Sequence, residues 1–220
     1  MPNKSAIGVL VSGGLDSAVL LAESAARYRE TWPIYVRQGL VWENAELFWL
    51  RKFLRQIAGR KIHPLKILIC PMKDLYENHW SIGRRSVPGA RTKDEAVYLP
   101  GRNLILSLKP AIFAAMHKIP VLALGSLAQN PFADADPAFF SQWSAALRSG
   151  LGSEIEVIAP YRQQSKSKVI KAGRAWPLHL SFSCIDPKGM THCGRCNKCA
   201  ERRRAFKAAR VEDKTTYASN

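Results

Sequence analysis

Acidic residues are scarce in this chain of 220 residues: 17 Asp and Glu stand against 33 Lys and Arg, a formal net charge of +16. Such an imbalance points to an anionic partner or substrate, and it speaks to association and solubility rather than to fold. Long hydrophobic runs are missing as well. No apolar stretch approaches the roughly 20 residues that cross a bilayer. The run Ala6 to Val11 is too short for the apolar stretch and cleavage site of a signal peptide. A cytoplasmic protein without a membrane partner is expected. Cysteine is sparse, with five in all, and in a reducing cytosol these serve as metal ligands or reactive thiols rather than disulfide partners. Internal repeats and low-complexity segments are absent. The hydrophobic share of 47% and charged share of 23% exclude a disordered or collagen-like chain. The length allows one α/β domain with a small appendage.

Apolar periodicity predicts a strand over Ala6 to Val11, then the turn Ser12-Gly13-Gly14-Leu15-Asp16-Ser17, then a helix whose face carries Ala18, Val19, Leu20, Leu21, Ala22 and Ala25. Further strands are expected at Pro33 to Val36, Ile67 to Ile69, Val121 to Leu124 and Ile155 to Ile158. Helices are expected at Glu46 to Ile57, Asn103 to Lys118, Phe139 to Leu147 and Ser167 to Ala172, with a short basic helix at Glu201 to Arg210. Between Cys70 and Pro100 the periodicity dissolves, and a long functional loop or partly disordered stretch is expected. Residues 215–220 read as a frayed polar tail. Five strands alternating with helices predict a doubly wound, five-stranded parallel sheet. Ligands bind beyond the carboxyl ends of such strands, where Ser12 to Ser17 and Gly125-Ser126 should both lie.

The turn Ser12, Gly13, Gly14, Leu15, Asp16, Ser17 has the properties of an anion cradle. Its glycines let backbone N–H groups approach a ligand, and the following helix offers its positive end. Asp16 could hold magnesium or position the loop. No Gly-Lys-Ser/Thr follows, so it is not a Walker A loop. The string is similar to the Ser-Gly-Gly-x-Asp-Ser loop of the ATP pyrophosphatase superfamily, which implies cleavage of ATP between its α and β phosphates to adenylate a substrate. The second constellation is Cys184, Cys193, Cys196 and Cys199, with Gly194-Arg195 and Asn197-Lys198 as spacers. Four thiolates this close can surround a structural zinc ion. An iron–sulfur cluster is the rival, and the missing Cys-Pro step favours zinc. Cys70 ends an apolar strand alone and reads as core.

Together the two constellations resemble the 7-cyano-7-deazaguanine synthase family. Tyr35 to Glu46 resembles that family's Tyr-x-x-Gln region, Leu99-Pro100-Gly101-Arg102-Asn103 its Val-Pro-x-Arg-Asn string, and Ser165-Lys166 its Thr-Lys dipeptide. The resemblance implies an adenine nucleotide alpha hydrolase-like fold, an ATP-binding domain over 1–180 and a zinc-binding segment over 181–220. It also implies zinc, ATP and magnesium as cofactors, 7-carboxy-7-deazaguanine and ammonia as small-molecule partners, and a homodimer. The expected chemistry adenylates the carboxylate, forms an amide with ammonia, and dehydrates it to a nitrile after a second activation. Gathering phosphate and carboxylate in one site calls for cations, and the resemblance assigns that role to Arg102 and Lys166, with Asp16 the third catalytic residue and Gly125 beside the nucleotide.

One segment departs from the family. Its usual Asp-Tyr-Ser-Gly-Tyr-Pro-Asp-Cys-Arg-Pro-Glu-Phe run is replaced by residues 128–139, in which Asp134, Pro137 and Phe139 survive, Ala128 replaces the leading Asp and Asp136 replaces the arginine. Asp134 could accept hydrogen bonds from a guanine-like edge and Phe132 could stack on the ring. Other readings are a relative activating a different acid, or an ATP-dependent tRNA thiolase or lysidine-type ligase suited by the basic charge. A zinc-stapled nucleic-acid-binding module would instead present Arg202, Arg203, Arg204, Lys207 and Arg210 to phosphates.

Overall fold

The computed structural model describes residues 4–218. In chain order the elements are β1 (Lys4–Leu10), α1 (Leu15–Arg27), β2 (Tyr28–Arg37), α2 (Glu43–Gln56), β3 (Lys66–Ile69) and the one-turn helices α3 (Lys73–Tyr76) and α4 (Trp80–Gly83). Then follow α5 (Arg102–Met116), β4 (Val121–Ala123), α6 (Pro137–Leu151), β5 (Glu156–Ile158), α7 (Lys166–Gly173) and α8 (Asn197–Ala209). The five strands make one sheet of order β3-β2-β1-β4-β5, and every pair is parallel. Among the described residues no helix is long and apolar enough to cross a membrane.

Alternation along β1 explains why helices cover both faces. Ile7, Val9 and Val11 point into a core built with Leu21 of α1, Leu50 of α2, Ile170 of α7 and Phe206 of α8. Ala6 and Leu10 point the other way, into a core with Phe113 of α5 and Phe140 of α6. A strand buried on both sides reads as a continuous apolar run, which is what Ala6 to Val11 shows. The expected doubly wound sheet is therefore present. Strand order reverses between β1 and β4, so a crevice opens above their carboxyl ends.

Two regions differ from expectation. The 70–100 stretch is not one long loop: it contains α3, α4 and a 3-10 turn at Asp94–Val97. Met72, Tyr76, Val97 and Leu99 bury into a third core shared with Trp42, Phe182 and the four clustered cysteines. Asn197, wholly buried, ties the stretch down by donating its amide to the Thr92 carbonyl at 2.9 Å, while its own N–H reaches the Pro88 carbonyl. These anchors lie about a hundred residues away along the chain, beyond the reach of local periodicity. The expected fraying after Thr215 is also not found up to Ala218. The Ala218 N–H bonds to the His192 carbonyl at 2.7 Å, and the Tyr217 ring lies against His192 and beneath the Arg203 guanidinium. The part of that tail at 219–220 lies outside the described residues.

Candidate active site

Leaving β1, the chain turns sharply through Ser12 to Gly14 before α1 starts. Gly13 takes φ +73°, and a Cβ there would stand 3.0 Å from the Glu46 carbonyl oxygen, so backbone angle and space both demand glycine. The Ser17 hydroxyl donates to the Gly14 carbonyl at 3.0 Å, and the Ser12 N–H reaches the Ser17 oxygen at 3.2 Å. Gly14, at the N-cap, supplies no side-chain acceptor to the first turn of α1. A helix start left uncapped and facing a cleft is suited to an anion. Gly125, just past β4, brings the second strand end against this loop: a Cβ on it would come within 3.1 Å of the Ser17 nitrogen.

The cleft above this turn has two connected halves. Ser12, Gly14, Asp16, Glu46, Arg102, Asn103 and Asn130 line both; the inner half extends to Tyr35, Gln38 and Gly125, the outer to Leu15, Phe132, Asp134, Lys166 and Lys198. The structure thus brings Ser12, Gly14, Leu15, Asp16, Ser17, Gly125, Arg102, Lys166, Phe132 and Asp134 to one crevice, with Gly13 forming its underlying turn. Arg102 opens α5, and its Nε is buried without a hydrogen-bond partner. Lys166 opens α7 and holds its ammonium 3.5 Å from Asp16 Oδ2 and within hydrogen-bonding distance of Glu201. Burial raises the Asp16 carboxyl above its ordinary range, and the Lys166 charge only partly reverses that. Burial alone would depress Lys166, but the Asp16 and Glu201 carboxylates outweigh it and hold the ammonium firmly protonated.

Phe132 and Asp134 reach the cleft already engaged. The Phe132 ring packs on Tyr98 with centroids 4.6 Å apart. Asp134 Oδ2 accepts the Asn103 N–H at 2.8 Å, and its main-chain carbonyl accepts the Asn103 side-chain amide, so this carboxylate helps cap α5. Asp136 is the side-chain N-cap of α6, taking the Ala138 N–H at 2.8 Å with Pro137 next in line. A side-chain cap of this kind takes an acceptor oxygen, which an arginine lacks, so Asp136 does here what an arginine could not.

Sequence periodicity missed four cleft side chains. Tyr35 donates to Glu46 Oε2 at 2.7 Å, both groups buried. Burial is the main reason the Glu46 carboxyl is pushed up to about 8, with Arg102 pulling the other way. The available signal was a pair of glutamates, Glu43 and Glu46, sharing the apolar face of α2 with Leu47 and Leu50. Lys198 and Glu201 come from the first turns of α8: Glu201 Oε1 takes Lys166, and Oε2 takes Lys198 at 2.7 Å. Burial pushes Glu201 up, but the two ammonium groups outweigh it and hold its carboxyl at about 2.

The four cysteines converge. Their sulfurs all lie within 4.8 Å of one another, with 3.9 Å between Cys184 and Cys196 and between Cys193 and Cys199. A tetrahedron of thiolates about 2.3 Å from one ion has edges of roughly 3.8 Å, so the cavity fits a single metal ion. The Cys193 N–H also donates to the Cys184 sulfur at 3.2 Å, and the Cys196 N–H to the Cys193 sulfur at 3.3 Å. Nearby, the expectation of a phosphate-facing arginine row fails at Arg202. Its side chain is 1% exposed, bonded to the Ser181 hydroxyl at 2.8 Å and the Leu178 carbonyl at 3.0 Å, and paired with Asp213. Its place on α8 faces the core, as Phe206 four residues later also does.

A five-stranded parallel sheet whose order reverses beside a Ser-Gly-Gly-Leu-Asp-Ser turn defines a doubly wound α/β protein. A solved structure with a similar fold is the U34-tRNA thiolase NcsA of Methanococcus maripaludis with its [4Fe-4S] cluster; it covers 99% of this chain and 77% of that one at a TM-score of 0.50 and 15% identity. The chain belongs to the family described as queuosine biosynthesis protein QueC, whose family model matches residues 6–210. Relatives named 7-cyano-7-deazaguanine synthase include those of Leptospira interrogans, 27% identical over 94% of this chain and 88% of the relative, and of Anaeromyxobacter dehalogenans, 29% identical over 96% and 94%.

Proposed function

We propose that the protein converts 7-carboxy-7-deazaguanine and ammonia into 7-cyano-7-deazaguanine at the expense of ATP. In this reading the carboxylate attacks the α phosphate of ATP and releases pyrophosphate. Ammonia displaces AMP to give the amide, and a second adenylation removes the amide oxygen with AMP to leave the nitrile. The observation that carries it is the convergence of Asp16, Lys166 and Arg102 on one phosphate-type turn in a chain matched by the family over residues 6–210. The turn's uncapped N–H groups would hold phosphate oxygens, Asp16 would hold magnesium, and Arg102 and Lys166 would offset the negative charge that develops as pyrophosphate leaves. Glu46 holds Tyr35 at the inner wall. Cys184, Cys193, Cys196 and Cys199 would hold zinc as a structural ion, which would fix the segment after Phe182 and the start of α8.

The same chemistry on a different acid is the second reading. What favours it is the Asp134 carboxylate, with one oxygen already committed to the Asn103 N–H and so less able to read a base edge. The test mixes the protein with ATP, Mg²⁺, ammonium and 7-carboxy-7-deazaguanine, and follows AMP together with the nucleobase by mass spectrometry. Nitrile with acid-dependent AMP supports the proposal. ATP binding without any turnover of this acid overturns the substrate and leaves the second reading.

A further inference from the structure

The outer wall of the cleft is made by the cysteine knuckle, and it contributes a cation whose role the reading above does not use. Lys198 stands between Cys196 and Cys199, in the first turn of α8. It lines the outer half of the cleft together with Asp16, Phe132 and Lys166, and also the side opening that reaches Gly125 and Ser126. Its ammonium donates to Glu201 Oε2 at 2.7 Å, Glu201 Oε1 takes Lys166, and Lys166 lies 3.5 Å from Asp16. Four side chains of alternating sign therefore run from the phosphate-type turn to the knuckle.

The two lysines of this row are not equivalent. Lys166 is clasped between two carboxylates and is 18% exposed, whereas Lys198 pairs only with Glu201 among the described residues and is 30% exposed. Lys198 thus keeps ammonium protons free to donate toward the cleft, on a stem that can swing about its carboxylate. It is also close enough to Asp16 to favour that group's ionised form. A triphosphate split beside Asp16 leaves a pyrophosphate more highly charged than the same oxygens carried before, and a compact ammonium on the open side of the turn is positioned to meet it.

We propose that Lys198 is a pyrophosphate-binding residue, delivered to the cleft by the cysteine knuckle, and that Glu201 positions it. This rests on the ATP-cleaving reading above. The knuckle is then more than a staple: fixing Cys196 and Cys199 on a common ion fixes the residue between them. The requirement is specific to an oxyanion and a cation, so Lys198→Arg should retain the interaction and Lys198→Ala should lose it.

The test is equilibrium calorimetry of inorganic pyrophosphate with Mg²⁺ on the metal-loaded full chain, with metal stoichiometry and thermal melting measured on each variant. Lys198→Ala is expected to weaken pyrophosphate binding about tenfold, with metal content and melting unchanged and Lys198→Arg within a few-fold of the parent. Equal pyrophosphate affinity in the parent and in Lys198→Ala overturns the assignment while leaving the ATP-cleaving reading intact. Failure of the parent protein itself to bind pyrophosphate overturns the role of Lys198, and AMP formation by the same sample shows that the ATP-cleaving reading stands without it.

Discussion

The Phe182 N–H donates to the Gly13 carbonyl at 2.7 Å, which binds the glycine turn before α1 to the segment that leads into the cysteine cluster. Phe182 is fully buried and shares its core with Cys184, Cys193, Cys196 and Cys199. Turn and knuckle therefore have a common foundation. Gly13→Ala should disturb both, because an L side chain at φ +73° costs about 1–2 kcal/mol and its Cβ would press on the Glu46 carbonyl. A melting temperature lower by roughly 2–8 °C is expected, together with weaker ATP binding. Parent-like melting and binding would show that the turn tolerates the strain.

Asp16→Ala should lower AMP formation at least about a hundredfold, the scale on which removal of one preorganised electrostatic group acts. Because Asp16 is held mainly by Lys166, whose other carboxylate Glu201 remains, the fold and metal content should survive. Single-turnover AMP release with circular dichroism and metal analysis checks this, and retained turnover would remove Asp16 from the reaction.

How much of this arrangement shows in the sequence depends on how local its causes are. The strand at Ala6 to Val11, its glycine turn and the cysteine spacing are set by neighbouring residues, and they stand where periodicity and turn chemistry put them. Lys198 reads only as a spacer between two cysteines and Glu201 only as the start of a basic helix, since their place in the cleft depends on α8 beginning at Asn197 and docking beside α7, which brings Glu201 to Lys166 across 35 residues. Asp134 was legible as a polar group near the site, but its use as a cap for Asn103 depends on the approach of α5. Exposure of a charged residue is a property of the packed helix, which is why Arg202 and Arg204 look alike in sequence and differ in the fold.

Glu46 gives the protein a specific pH dependence. Its carboxyl is raised from 4.5 to about 8 in the fold, mainly by burial, so between those values the folded chain holds a proton that the unfolded chain releases. Its contribution to stability is complete below about 4.5 and is lost as pH rises through about 8. Denaturation midpoints measured from pH 5 to 9 should fall with rising pH, and Glu46→Gln should flatten that slope while keeping an acceptor for the Tyr35 hydroxyl. An unchanged slope in the variant would place the titration elsewhere.

Cys196→Ser should release bound metal. Ligand binding of this kind is folding free energy, and the Cys196 sulfur is buried in the core that also carries Trp42 and Leu99. A loss of about 3 kcal/mol or more is expected, a melting temperature lower by at least roughly 6–12 °C. Metal analysis and thermal melting on the same sample check it; full metal occupancy in the variant would exclude Cys196 as a ligand.

Arg202 separates a structural from a nucleic-acid role for α8. Its guanidinium is buried, with the Ser181 hydroxyl, the Thr215 hydroxyl and the Leu178 carbonyl as partners, and Asp213 3.4 Å away as counterion. Asp213→Asn leaves that charge buried and uncompensated, so stability should fall by about 3–5 kcal/mol. Arg204→Ala, on the exposed side of the same helix, should change stability by less than about 0.5 kcal/mol. A phosphate contact made by α8 would reverse the pattern: Arg204→Ala would reduce the salt dependence of RNA binding by about one counterion, and Asp213→Asn, by freeing Arg202, would strengthen it. Denaturant titration of both variants beside RNA binding at two salt concentrations decides the matter, and the burial of Arg202 predicts that only stability responds, and only to Asp213→Asn.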